Sequence, residues 1–188
     1  MIPLLQTEQH GDDGMIRNYA AYQETRGFSP ATVQRRTGTL TAFARFIAPA
    51  TLGDATPDLV GEFLGRFKQP RTRAAYRSDL ASFFRWAHRR GLVDTNPTDL
   101  VDAIKIPASL PRPVPPNLIP GLIAAATTND LRLMVALAAL AGMRVGEIAH
   151  LRWEDVDLAH GLVAVRNGKG GKDRVVPVHP LLHHLLVE

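Results

Sequence analysis

The residues best suited to chemistry in this sequence are cationic, and they fall into two groups. Arg35 and Arg36 stand together, and Arg71, Arg73, Arg77, Arg85 and Arg89 follow in a stretch where Asp79 is the only acid from Gly65 to Gly91. The second group, Lys169, Lys172 and Arg174, lies in and just after a glycine-rich turn. Between Met15 and Val93 there are 13 Lys/Arg against 5 Asp/Glu, whereas Pro113 to Glu188 holds 7 of each, so the formal charge of +4 conceals one basic half. An excess that is nearly all arginine suits a polyanion, because guanidinium pairs bidentately with phosphate. Solvated helix faces are the alternative reading of the same charges.

Four helices are expected to carry the first group. One spans residues 15–26; Ser29-Pro30 then supplies an N-cap and first-turn proline ahead of Val33, Leu40, Phe43, Ala44 and Ile47, which share one helical face. Thr56-Pro57 repeats that start signal for a third helix with Leu59, Val60, Phe63, Leu64 and Phe67. The fourth runs from about Thr72 to Arg90, with Tyr76, Leu80, Phe83, Phe84 and Ala87 on its apolar stripe, and Gly91 ends it. These aromatic residues read as core rather than as a base-stacking platform, since they fall on that stripe. The second and fourth helices are basic opposite their apolar faces, a pattern able to enter a major groove or grip the flanking phosphates.

Six prolines, at 107, 111, 113, 115, 116 and 120, interrupt the next stretch and rule out a continuous helix or central strand. Beyond them, Leu118–Ala126 and Asp130–Ala141 read as helices, the second so uniformly apolar that burial on nearly every side is expected. Gly142 breaks it, and a short helix from Val145 to Arg152 leads to a β-hairpin formed by 162–165 and 175–178. The final HPLLHHLLVE opens another helix.

Several chemistries are excluded or disfavoured. With no cysteine there is no disulfide, thiolate zinc site or cysteine nucleophile. The turn Asn167–Val175 is not a Walker loop, because no GxxxxGK[ST] occurs and Lys172 is followed by Asp173. His179, His183 and His184 read as helix-start and surface residues, with no carboxylate at metal-ligand spacing. No metal and no other cofactor is expected. The start MIPLLQTEQH lacks a signal peptide's basic end and apolar stretch, and the longest apolar run, Leu133–Met143, is far short of a membrane span. A cytoplasmic, nucleoid-associated location without membrane contact is the expectation.

The sharpest local pattern is Ala141-Gly142-Met143-Arg144-Val145-Gly146-Glu147-Ile148, followed by Leu151-Arg152-Trp153-Glu154-Asp155-Val156. Taken alone, Arg144 is placed to pair with Glu147 three residues on. The pattern resembles the tyrosine recombinases of the phage integrase family, and the hairpin Asn167-Gly168-Lys169-Gly170-Gly171-Lys172-Asp173-Arg174-Val175-Val176-Pro177 resembles that family's second-to-third-strand hairpin. Upstream, Gly27-Phe28-Ser29-Pro30-Ala31-Thr32-Val33 and Gly91-Leu92-Val93-Asp94-Thr95-Asn96-Pro97 look like the start and exit of its core-binding domain.

That resemblance implies a mainly α fold with a small β-hairpin or sheet: a helical, SAM-like core-binding bundle, then a truncated α+β recombinase catalytic domain. The implied division is a tail (1–14), the core-binding domain (15–104), a Pro-rich linker (105–116) and the N-terminal portion of the catalytic domain (117–188). It further implies that Arg144 contacts the scissile phosphate, neutralising charge on the nonbridging oxygens of the pentavalent transition state. Lys169 would be the general acid toward the leaving 5′ oxygen. Arg35, Arg36, Arg71, Arg73 and Arg77 would bind DNA, with Lys172 and Arg174 as phosphate contacts or solvated charges. Double-stranded DNA is the implied partner, with self-association on DNA or with a full-length recombinase.

The family also uses a His-x-x-Arg pair and a tyrosine nucleophile after the hairpin. Here the tyrosines are Tyr19, Tyr22 and Tyr76, all upstream, and no histidine beyond Lys169 has arginine three residues later. The expectation is therefore a catalytically incomplete part of a site-specific recombinase. The alternative is a natural noncatalytic DNA-binding protein that competes with or regulates a full-length enzyme.

Overall fold

Proline-led starts set the helices of the N-terminal half. α2 (Pro30–Ile47), α3 (Pro57–Gly65) and α4 (Pro70–Arg89) each carry proline in the first turn, where its missing N–H has no intrahelical partner to lose. The Ser29 and Thr56 hydroxyls accept from the N–H groups of Thr32 and Leu59, caps worth about 1 kcal/mol each. α1 spans Asp12–Thr25, three residues earlier than the apolar pattern predicts. Asp12 and Asp13 favour the positive end of the helix dipole, and the Gly11 carbonyl accepts from Gly14 and Met15.

The computed structural model describes residues 11–108, 110–168 and 172–187. Its chain divides into two compact units, Met1–Ser109 and Leu110–Glu188. In the first, Tyr19, Leu40, Phe43, Val60, Phe63, Leu80, Phe83 and Phe84 form the buried core. Rings meet edge to face, Phe83 with Phe84 at 5.1 Å and Phe67 with Tyr76 at 4.6 Å. Such pairs contribute roughly 0.5–1.5 kcal/mol beyond area burial. These aromatic side chains are thus core, as their stripe predicts.

The second unit contains α5 (Ile119–Ala125), α6 (Asn129–Leu140), α7 (Val145–Ala149), β1 (Val156–Asp157), β2 (Leu162–Gly168), β3 (Lys172–Pro177) and α8 (Pro180–Val187). The expected hairpin is β2–β3, and β1 adds to it as a third antiparallel strand in the order β1-β2-β3. Two residues are too short to show a period-two pattern, which is why sequence inspection passes over β1. The predicted helix to Arg152 instead stops at Ala149. A 3-10 turn, Trp153–Asp155, follows, with the Arg152 N–H donating to Asp155 Oδ2 at 3.2 Å.

One expectation fails outright. α6 is not buried on nearly every side: Ala136 and Leu137 are buried, while Leu131 and Met134 are exposed. Within the unit, α5, α7 and α8 pack against α6 and leave its remaining face uncovered. The architecture as a whole, mainly α with a small sheet, is the expected fold class.

Candidate nucleic-acid interface

Arg144 is set by its neighbours on both sides. Gly142, at φ 61°, takes the left-handed conformation that closes α6, and the Met143 N–H donates to the Leu137 carbonyl at 3.3 Å. Arg144 then runs extended and becomes the N-cap of α7. Its backbone N–H donates to Glu147 Oε2 at 2.8 Å, and its guanidinium donates to Glu147 Oε1 at 2.9 Å. The pairing legible in the i, i+3 spacing is therefore present.

A second arginine reaches the same carboxylate from the sheet. Arg174 lies opposite Val165 in the β2–β3 register, and cross-strand partners share a face; Val165 is buried, so Arg174 projects from the inner face. It donates from Nη1 to Glu147 Oε1 at 2.7 Å and from Nη2 to Oε2 at 2.8 Å, a bidentate fork. Arg174 is thus engaged by protein rather than freely solvated. The hydrogen bonds from Arg174 and from the Arg144 backbone hold the Glu147 carboxyl well below the usual carboxylate range. Glu147 in turn raises the pKa of Arg174.

The Glu147 side chain is 7% exposed and that of Arg144 61%, so an interior carboxylate anchors a guanidinium that remains accessible. Two arginines against one carboxylate leave one net positive charge, on a group whose N–H donors suit a phosphate. Lys172 is exposed at the start of β3, paired with Gly168. Lys169 lies outside the described residues. A cleft of about 690 Å³ shares Glu147 with this site and is further lined by His150, Arg152, Glu154, Asp155 and Arg166, though not by Arg144 or Arg174. Its arginines are paired there, Arg152 with Glu154 at 3.3 Å and Arg166 with Asp155.

In the first unit the candidate arginines separate into distinct roles. Arg35 and Thr39 of α2 both donate to Asp79 Oδ2 on α4, Thr39 at 3.0 Å, and Arg36 Nε stands 3.9 Å from Asp79 Oδ1. Arg36 also donates to Gln23 Oε1 at 3.0 Å, and its guanidinium lies over the Phe28 ring, 4.6 Å from the centroid. Arg77 donates to the carbonyls of Val101 and Thr98, tying α4 to the segment after it. Arg73 is partly buried, while Arg71 is exposed. Sequence reasoning treated all five as one DNA-facing set and missed the inward engagement of Arg36 and Arg77. It also missed Asp79 as the organiser of Arg35 and Arg36. The signal was available: Asp79 stands three residues after Tyr76 and four before Phe83, on the apolar stripe, and Arg36 likewise lies between Val33 and Leu40.

His179 acts at a helix start, where its Nδ1 accepts from the Leu181 N–H at 3.2 Å. Among the described residues no three His, Asp or Glu side chains gather as a metal site, and no helix is long and apolar enough to cross a membrane.

Comparison with known proteins matches both units. The phage integrase N-terminal SAM-like domain matches residues 15–101, and the phage integrase family matches residues 115–188. Tyrosine recombinase XerD of Ralstonia nicotianae is 36% identical over 127 residues, 64% of this chain and 41% of that protein. Tyrosine recombinase XerA of Thermococcus kodakarensis is 31% identical over 170 residues, 87% of this chain and 57% of that protein. The chain thus spans about half the length of the curated relatives it matches. A lambda integrase dimer bound to a COC′ core site shares the fold, with a TM-score of 0.72 at 24% identity over 88% of this chain and 48% of that one. With both halves matched and relatives of one kind, the chain belongs to the phage integrase family of tyrosine recombinases.

Proposed function

We propose that this chain is the DNA-binding part of a site-specific tyrosine recombinase, serving DNA integration and recombination by breakage and rejoining, and that these 188 residues alone are catalytically incomplete. The observation that carries the reading is the accessible Arg144 guanidinium, fixed at the start of α7 by a carboxylate that also binds the hairpin through Arg174. A cation held in this way meets a phosphodiester without first losing its own rotational freedom. Lys169, in the glycine-rich sequence Asn167–Lys172, is the candidate proton donor, with Lys172 as a phosphate contact. Residues 15–104 act as the core-binding domain and 117–188 as the N-terminal portion of the catalytic domain, joined by the Pro-rich segment 105–116.

Duplex DNA is the proposed partner. The exposed arginines of α2 and α4, Arg35 and Arg71 among them, supply the leading contacts, and neutralising about six phosphates gives a slope of log K against log salt of roughly −5. Lambda integrases of the same fold were solved as a dimer on a core site and as a tetramer on a Holliday junction, which supports self-association on DNA. The tyrosines favour incompleteness. The Tyr19 hydroxyl donates to Ser82 at 2.7 Å, and burial raises its pKa; Tyr22 packs on Tyr19 and Trp86, and Tyr76 packs on Phe63 and Phe67. All three belong to the helical first unit and precede Arg144 in sequence, whereas the family's nucleophile follows the hairpin.

The test is a salt-titrated gel shift together with a nicked suicide substrate. Salt-sensitive duplex binding without a covalent protein–DNA adduct is the expected result. Binding that ignores salt sinks the DNA reading, and an adduct sinks the claim of incompleteness.

A further inference from the structure

We infer that Asp79 is a positioning residue for DNA binding, its buried carboxylate presetting the Arg35 guanidinium as a phosphate contact. This inference rests on the DNA-binding function proposed above.

Asp79 is the lone acid between Gly65 and Gly91, and its side chain is 1% exposed. A carboxylate taken from water in this way requires charged or hydrogen-bonding partners, and it has them: Arg35, Thr39 and Arg36, all from α2. Those partners are not equivalent. Arg36 is turned inward, with a side chain 17% exposed that bonds Gln23 and stacks on Phe28. Arg35 is 48% exposed, so it grips Asp79 while keeping part of its guanidinium in solvent. Two guanidiniums against one carboxylate leave a net positive charge, and the accessible share of it is on Arg35.

The physical consequence runs against simple charge counting. An arginine free to rotate loses rotamer freedom when it grips a phosphate; one already held by a buried carboxylate has lost that freedom on folding. Removing the Asp79 charge raises the net charge by one, which by electrostatics alone strengthens DNA binding and steepens its salt dependence. If Asp79 positions Arg35, removal does the reverse on both counts.

The experiment measures duplex affinity across a salt titration for the full chain, Asp79→Asn, Arg35→Ala and the double variant, with thermal melting to verify folding. The expected result is a loss of about 5-fold in Asp79→Asn at fixed salt and a slope shallower by up to about 0.9, the share of one phosphate. On the Arg35→Ala background the loss from Asp79→Asn should vanish, leaving only the gain that the removed negative charge gives by itself. Folded Asp79→Asn that binds as tightly as the parent or more tightly overturns the proposal, as does a loss that persists without Arg35. If Asp79→Asn does not fold, Arg35→Lys decides. It preserves the charge but not the planar fork, so a several-fold loss supports positioning and unchanged affinity overturns it. Absence of salt-sensitive binding in the unaltered chain defeats the DNA reading itself, a separate outcome.

Discussion

The two units handle buried apolar surface differently, although both use a carboxylate to organise arginines. In the first, Leu40, Phe43, Leu80, Phe83 and Phe84 are wholly buried. In the second, Val163 and Leu182 are buried, yet Met134 on α6 and Trp153 are exposed, whereas in the first unit the exposed Phe28, Leu100 and Ile106 all lie outside α1–α4. The carboxylates are both buried but differ in their settings: Asp79 of α4 meets partners from the long helix α2, whereas Glu147 of the short helix α7 meets Arg174 of strand β3. The first unit therefore holds its cations from a closed core, and the second holds Arg144 from a short helix and a hairpin, with less packing behind them.

If core closure is the real difference, Phe83→Ala should cost about 3–5 kcal/mol in urea denaturation of the first unit, within the range for emptying an aromatic core site. Leu182→Ala in the second should fall at the low end, about 2 kcal/mol, if the less enclosed helices of this unit yield into the gap. Equal losses would erase the contrast. Trp153→Ser should shift stability by less than about 0.5 kcal/mol, as an exposed side chain does.

Arg77→Ala tests whether the basic residues of α4 share one role. Losing its bonds to the Val101 and Thr98 carbonyls should destabilise the first unit by about 1–3 kcal/mol and also weaken DNA binding. Arg71→Ala should weaken binding several-fold in the same gel shift. A stable Arg77→Ala protein would show that its backbone contacts contribute little. Gly142→Ala, forcing a side chain into a left-handed position, should cost about 1–2 kcal/mol in the second unit.

A further effect depends on acidity. Folding depresses the Glu147 pKa, so its stabilisation is complete above the ordinary carboxylate value and disappears as the pH falls through that value toward the folded one. The stability gap between the parent chain and Glu147→Gln should accordingly be widest near neutrality and close in acid, read as denaturation midpoints at successive pH values. A gap independent of pH would mean that the ion pairs of Glu147 do not contribute.

Local chemistry was legible because its partners are close in sequence. Ser29-Pro30 and Thr56-Pro57 announced two helix starts, Gly142 the end of α6, and Arg144 with Glu147 a three-residue pair. The overburied expectation for α6 failed because composition reports how apolar a helix is, not what covers it. β1 escaped because a strand of two residues exists only through its partner β2.

By itself the sequence determined the helix starts and stops, the core stripes, the basic half and the order of family motifs, since each depends on residues within a turn or two of one another. Only tertiary structure decided which arginines face a carboxylate. Arg35 and Asp79 are 44 residues apart, and Arg174 and Glu147 are 27 apart. Charges so far apart along the chain meet only when packing brings their helices and strands together, and packing follows the apolar faces rather than the charges themselves.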